Sequence, residues 1–178
     1  MSKEDIKRLS KLNISVSHCP VSNLKLGCGI ANINEMVENN INVSLGTDGQ
    51  GSGSNLDLFE TMKFTALLQK GIQENAVSMP AYEVLKMATI NGAKALNLED
   101  KIGSLQEGKI ADIIILNLND VVTNPVNDII SDIVYNAKGT NVETTIVNGN
   151  ILMENRKIKK DEKEVFEKCR KIMERVRE

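Results

Sequence analysis

The chain has 178 residues, 41% hydrophobic and 26% charged, which suits one globular domain and excludes a disordered tail or low-complexity filament. Aromatic residues make up 3% and tryptophan is absent, too few for a base-stacking nucleic-acid fold. The net charge is −2, with ten basic and six acidic residues between 156 and 178, a local +4 against −6 elsewhere.

The tail charges alternate in sign, which reads as a solvated helix face rather than a nucleic-acid or membrane patch. No apolar run approaches the ~20 residues of a membrane span. The opening Met1–Asp5 lacks the apolar stretch of a secretory signal. Cys19, Cys28 and Cys169 are odd in number and form no Cys-x-x-Cys pair. They predict free thiols in a reducing cytoplasm.

In chain order, Ser2-x-x-Asp5 is a capping-box-like start, and Ile6, Leu9 and Leu12 follow at helical spacing. Ile14–Ser17 alternates as a short strand and runs into His18-Cys19-Pro20. A polar loop is expected over Ser22–Gly29, then a helix with Ile30, Ile33, Met36 and Val37 inward. Ile41–Leu45 predicts a second strand, ending in Gly46-Thr47-Asp48-Gly49. A Gly/Ser loop from Gln50 to Ser54 leads to a helix over Leu56–Lys70, carrying Leu56, Phe59, Met62, Phe64, Leu67 and Leu68. Helix–strand alternation of this kind implies a parallel sheet, with chemistry at the carboxyl ends of its strands.

Beyond Pro80 the pattern changes. Tyr82–Leu96 predicts one helix, and β-type segments follow at Ala111–Leu118, Ile133–Tyr135 and Val142–Val147. Asn148-Gly149 is a strong hairpin signal with Asn150–Glu154 returning. Val165, Phe166, Cys169, Ile172, Met173 and Val176 form the apolar stripe of a closing amphipathic helix.

Two positions stand out chemically. Asp48 follows a strand end among Gly49, Gly51 and Gly53, where a carboxylate can bind a metal or act as a general base; Thr-Asp-Gly is equally good turn chemistry. His18 is the only histidine, and a strand-end histidine can be structural or catalytic. One histidine cannot build a three- or four-ligand zinc site. Gly27-Cys28-Gly29 lacks the remaining glycines and lysine of a nucleotide fingerprint.

Val16–Leu26, Leu45–Gly49 and Asn55–Glu60, followed by Met87–Leu96, Ile102–Asp112 and Ile146–Gly149, resemble the amidohydrolase superfamily in order and spacing. Within it the stretches are similar to the 5-methylthioadenosine/S-adenosylhomocysteine deaminase type, with chlorohydrolase and guanine deaminase relatives. The resemblance implies an α/β fold: the last two strands of a metal-dependent (β/α)8 barrel in residues 1–100 and part of a small β-sandwich in 101–155. The amphipathic helix would occupy 156–178. It implies hydrolytic deamination of a purine nucleoside, with Asp48 as a ligand of a divalent metal such as zinc and as the proton carrier. His18, Ser22 and Asn23 would border the substrate. Gly53-Ser54 stands where relatives often carry Asn-Asn. The family's upstream histidines and glutamate have no counterpart, so a missing N-terminal half or self-association is expected to complete the chain.

Overall fold

The computed structural model describes residues 1–121, 123–158 and 162–177. Helix α1 (Lys3–Leu9) starts on a reciprocal cap, with Ser2 Oγ accepting from the Asp5 amide and the Asp5 carboxylate accepting from the Ser2 amide. It buries Ile6 and leads into β1 (Ser15–His18). Then follow α2 (Pro20–Lys25), α3 (Ile33–Glu38) and β2 (Asn42–Leu45). The two strands pair in parallel, from Ser15 opposite Asn42 to His18 opposite Leu45.

A single turn, α4 (Gln50–Gly53), precedes the long α5 (Leu58–Gln73), then α6 (Ala81–Ala88) and α7 (Ile90–Ala95). Two reciprocal bonds tie α7 to β2: Asn91 donates to Val43 O at 2.9 Å, and Asn42 donates to Asn91 O at 3.0 Å. A second module holds β3 (Ile113–Leu116), α8 (Ile129–Tyr135), β4 (Val142–Val147), β5 (Asn150–Glu154) and β6 (Lys157–Ile158). Its four strands form one antiparallel sheet in chain order. The last helix is α9 (Glu162–Arg177).

One core joins the two modules. Ile33, Met36, Val43, Met62, Val84 and Met87 pack with Val134 and Ala137 from the α8 region. Asp57 reinforces the join: it caps α5 through the Phe59 amide at 2.9 Å and accepts from the Gly139 amide at 2.9 Å.

Several expectations are corrected. Ile133–Tyr135 is the end of helix α8, because Asp128 caps the Ser131 amide at 3.2 Å and starts a helix four residues earlier. Three apolar residues in a row carry no period of their own. The expected Tyr82–Leu96 helix is two helices broken at Thr89 (φ −128°, ψ −96°), whose hydroxyl bonds back to Leu85 O at 2.7 Å. A hydroxyl competing for backbone partners weakens a helix at that point. Pro20 at the first helical position turns part of the expected Ser22–Gly29 loop into α2, since its fixed φ suits a helix start. Gln50–Gly53 likewise winds one helical turn within its expected loop.

Ile30 lies outside α3, which begins after its Asn32 cap, and is exposed. Leu56, Phe64 and Leu67 are also exposed, while Thr61, Thr65 and Gln69 take the inner face of α5. They are satisfied there. Thr65 donates to Thr61 O at 2.8 Å, and Gln69 accepts from the Ile33 amide and donates to Ala31 O at 2.8 Å. A buried polar group with its partners in place carries little cost.

Asn148 and Gly149 both take positive φ, as the hairpin signal requires. A second such turn at Asn155-Arg156 produces β6, which the sequence reading does not contain. On α9 the predicted stripe exists, yet Val165, Phe166, Ile172, Met173 and Val176 are 46–75% exposed. Burying one such side chain is worth ~1.5–3 kcal/mol, so the purified chain is expected to self-associate through this stripe, with exposed apolar side chains of the sheet such as Leu152. Sedimentation velocity checks this; a sharp monomer at all concentrations would exclude it.

Candidate active site

The carboxyl ends of β1 and β2 lie side by side, and a bond from the Gly46 amide to His18 O at 3.0 Å extends the pair by one rung. A Cβ at Gly46 would sit 2.7 Å from Ser17 Oγ and 3.0 Å from Cys19 Sγ, so a larger residue there makes those two side chains move. Beyond it the chain turns at Asp48, with φ +59°, and again at Ser54, with φ +74°. Non-glycine residues in such conformations cost of order 1–3 kcal/mol and persist only where their surroundings hold them.

The surroundings are specific. Ser22, in the first turns of α2 and 2% exposed, donates to Asp48 Oδ2 at 2.6 Å. The Gly49 amide donates to Oδ1 at 2.6 Å. Lys25, one turn after Ser22, donates to Gly51 O at 3.1 Å and to Ser54 Oγ at 2.8 Å. The Ser22 hydroxyl, then the Gly49 amide and the Ser52 hydroxyl, hold the Asp48 carboxyl below the usual range against a small opposing effect of burial. Asp48 is therefore an ionised, solvent-facing carboxylate whose direction is fixed at both oxygens.

Gly53 closes the loop: its Cβ position lies 2.2 Å from Thr47 O. Gly53→Ala is therefore expected to force the backbone apart and cost at least ~1–3 kcal/mol. Denaturant unfolding measures this; an unchanged midpoint would contradict the close approach.

His18 is 3% exposed, and its Nε2 is buried without a hydrogen-bond partner among the described residues. Burial alone pushes its pKa down to about 4, so the ring is neutral at pH 7. An orphaned buried ring nitrogen is uncommon. Asn23 is half-buried on α2, where its backbone bonds Cys19 O and the Cys28 amide. The structure thus joins Ser22 to Asp48 by a direct bond and places neither His18 nor Asn23 in hydrogen-bond contact with that carboxylate. Lys25 and Ser52 belong to the site without having been singled out in the sequence. Lys25 could have been found from its one-turn spacing after Ser22.

A carboxylate oxygen suits a hard divalent cation. Among the described residues, however, no group of three or more His, Cys, Asp or Glu side chains could hold a metal. Asp48 is one donor, and a catalytic metal site needs about three from the protein. A groove of about 570 Å³ lies elsewhere, between α5, α6 and β3, where Phe59, Met62, Ile102 and Ile114 line it.

The comparisons match the chain to part of longer proteins. The chain is 46% identical over 159 residues to a 5-methylthioadenosine/S-adenosylhomocysteine deaminase of Caldanaerobacter subterraneus, covering 89% of the chain and 37% of that protein. It is 46% identical over 177 residues to a 5'-deoxyadenosine deaminase of Methanosarcina acetivorans, covering 99% of the chain and 40% of that protein. An adenosine deaminase structure from Xanthomonas campestris with bound zinc superposes with a TM-score of 0.96 at 30% identity, over 99% of the chain and 40% of its own. A zinc complex of an atrazine chlorohydrolase from Arthrobacter aurescens gives 0.85 at 28%, over 95% of the chain and 38% of its own. The chain spans about two-fifths of the length of these relatives. The amidohydrolase family profile matches residues 1–152, and the chain belongs to the amidohydrolase family.

Proposed function

We propose that this chain is one portion of a metal-dependent aminohydrolase that deaminates a purine nucleoside of the 5-methylthioadenosine or S-adenosylhomocysteine kind. The observation that carries the reading is Asp48, an ionised carboxylate fixed by Ser22 and Gly49 at the end of a parallel strand. Residues 1–100 would supply the last two strands of the barrel, 101–155 one layer of a β-sandwich, and 156–178 a closing helix.

In this reading Asp48 is one metal ligand, and the others come from residues outside the 178. The chemistry such an ion, zinc in this proposal, supplies is Lewis acidity, which makes water a competent nucleophile near neutral pH. Asp48 accepts the proton of the attacking water and delivers it to the departing amine, so that ammonia leaves and the purine carbon gains oxygen. His18, neutral and buried, and Asn23 border the substrate, with Ser22 beside the carboxylate. The three free cysteines fit a reducing cytoplasm.

A second reading is that the chain acts without catalysis, by self-association or by pairing with a separate half. The incomplete ligand set among the described residues and the exposed α9 stripe favour it.

The deciding experiment supplies the chain, with zinc, with the unmatched portion of the Methanosarcina acetivorans deaminase, and measures ammonia release from 5'-deoxyadenosine and 5-methylthioadenosine. The chain alone is expected to give no turnover, and the mixture to give turnover. Activity of the chain alone would overturn the fragment reading. An inactive but assembled complex would favour the non-catalytic one.

A further inference from the structure

Asp48 and Ser54 both hold left-handed conformations, and the short turn α4 lies between them. Within that stretch the Gly49 amide, on Oδ1, and the Ser52 hydroxyl reach the carboxylate. From outside it, on the neighbouring strand's loop, α2 adds three bonds: Ser22 on Asp48 Oδ2, and Lys25 on Gly51 O and Ser54 Oγ.

Ser22 is 2% exposed. A serine hydroxyl has a single proton to donate, and at 2.6 Å from Oδ2 that proton is committed to the carboxylate. It has nothing left to donate to a substrate.

We propose that α2 is a brace for the strand-end carboxylate, with Ser22 and Lys25 as positioning residues that lock Asp48 and its strained loop in one arrangement. This rests on the reading of Asp48 given above. It moves Ser22 from the substrate-contact role implied by the family resemblance to one exerted through Asp48. Lys25 acts at a distance from the chemistry by holding the far end of the same loop. The physical gain is preorganisation: a proton carrier that must receive from water and deliver to the amine loses efficiency when it wanders between rotamers.

Two kinds of measurement test this. On the full chain, NMR couplings report the Asp48 χ1 rotamer, and hydrogen exchange reports the amides from Gly49 to Ser54. Ser22→Ala should let Asp48 average between rotamers. Lys25→Met should speed exchange at residues 51–54 by roughly tenfold, as local opening becomes easier. Ser22→Thr keeps the donor and should preserve the single rotamer, which separates a lost bond from a misfolded variant.

In the zinc-loaded complex with the relative's portion, Ser22→Ala should lower kcat by about 10–100-fold. KM should stay within about twofold, and Ser22→Thr should restore kcat. A rise in KM with kcat unchanged would make Ser22 a substrate contact and overturn the brace. A single Asp48 rotamer and unchanged exchange in both Ser22→Ala and Lys25→Met would also overturn it. If Asp48→Asn leaves turnover intact, the proposed function falls instead, and the rotamer and exchange data still decide the brace.

Discussion

Asp48→Asn is expected to lower kcat of the complemented enzyme by at least ~10²-fold, and up to ~10⁴-fold, with the fold intact. The substitution keeps the shape of the side chain and removes both its charge and its capacity to accept a proton. The new amide can keep both contacts by offering its oxygen to the Gly49 amide and its NH2 to the Ser22 oxygen, which then accepts where in the native chain it donates to Asp48 Oδ2 at 2.6 Å. It offers no base to the steps that need one. Structural damage should be slight, because Asp48 is solvent-facing. Steady-state kinetics on the complex, with circular dichroism as the control, measure the effect. His18→Asn is the companion variant: it should raise KM and leave metal content unchanged. Loss of metal from the His18 variant would show that the histidine is a ligand.

The second large effect concerns pH. His18 has an ordinary pKa of 6.5 when unfolded and about 4 in the folded chain, because burial disfavours its charged form. Between those values the unfolded chain binds the proton and the folded chain does not, so stability rises with pH across this window. The contribution is fully present above about 6.5 and is lost as pH falls towards 4. The difference between the two values amounts to roughly 3 kcal/mol. Unfolding midpoints measured at several pH values between about 4 and 7 should therefore fall steeply for the wild type as the pH is lowered. In His18→Asn that part of the slope should vanish, while the variant is less stable near neutral pH because a buried amide lacks partners there. Carboxylates titrate in the same window, so the difference between the two proteins isolates the histidine. Equal slopes would mean that the ring is hydrated in solution. Asp48 bends the curve the same way at lower pH, since its carboxyl is held below the usual range, but its exposure keeps that effect small.

The family was legible from local sequence, because amidohydrolase strand ends carry runs such as His18–Leu26 and Gly46–Gly49 whose order survives in one chain. The order of α1, β1, α3 and β2 was legible for a similar reason, α2 falling in an expected loop: short-range periodicity and caps such as Ser2-x-x-Asp5 act within a few residues. The hairpin at Asn148-Gly149 depended only on two residues that tolerate positive φ. What the sequence did not show depends on distant partners. Thr61, Thr65 and Gln69 carry no apolar signal and are core, since Ala31 O and the Ile33 amide, more than thirty residues away, satisfy Gln69. Leu56, Phe64 and Leu67 read as core and are exposed, because the inner face of α5 is chosen by what packs against it. Ile133–Tyr135 read as strand and is helix, because a cap at Asp128 outweighs a three-residue pattern. At the site, the sequence determined that Asp48 and Ser22 are present and at strand ends; only the parallel pairing of β1 with β2 brought residues 26 positions apart to 2.6 Å. Periodicity reports which face a residue is on. Which atom that face then meets is decided by the tertiary structure.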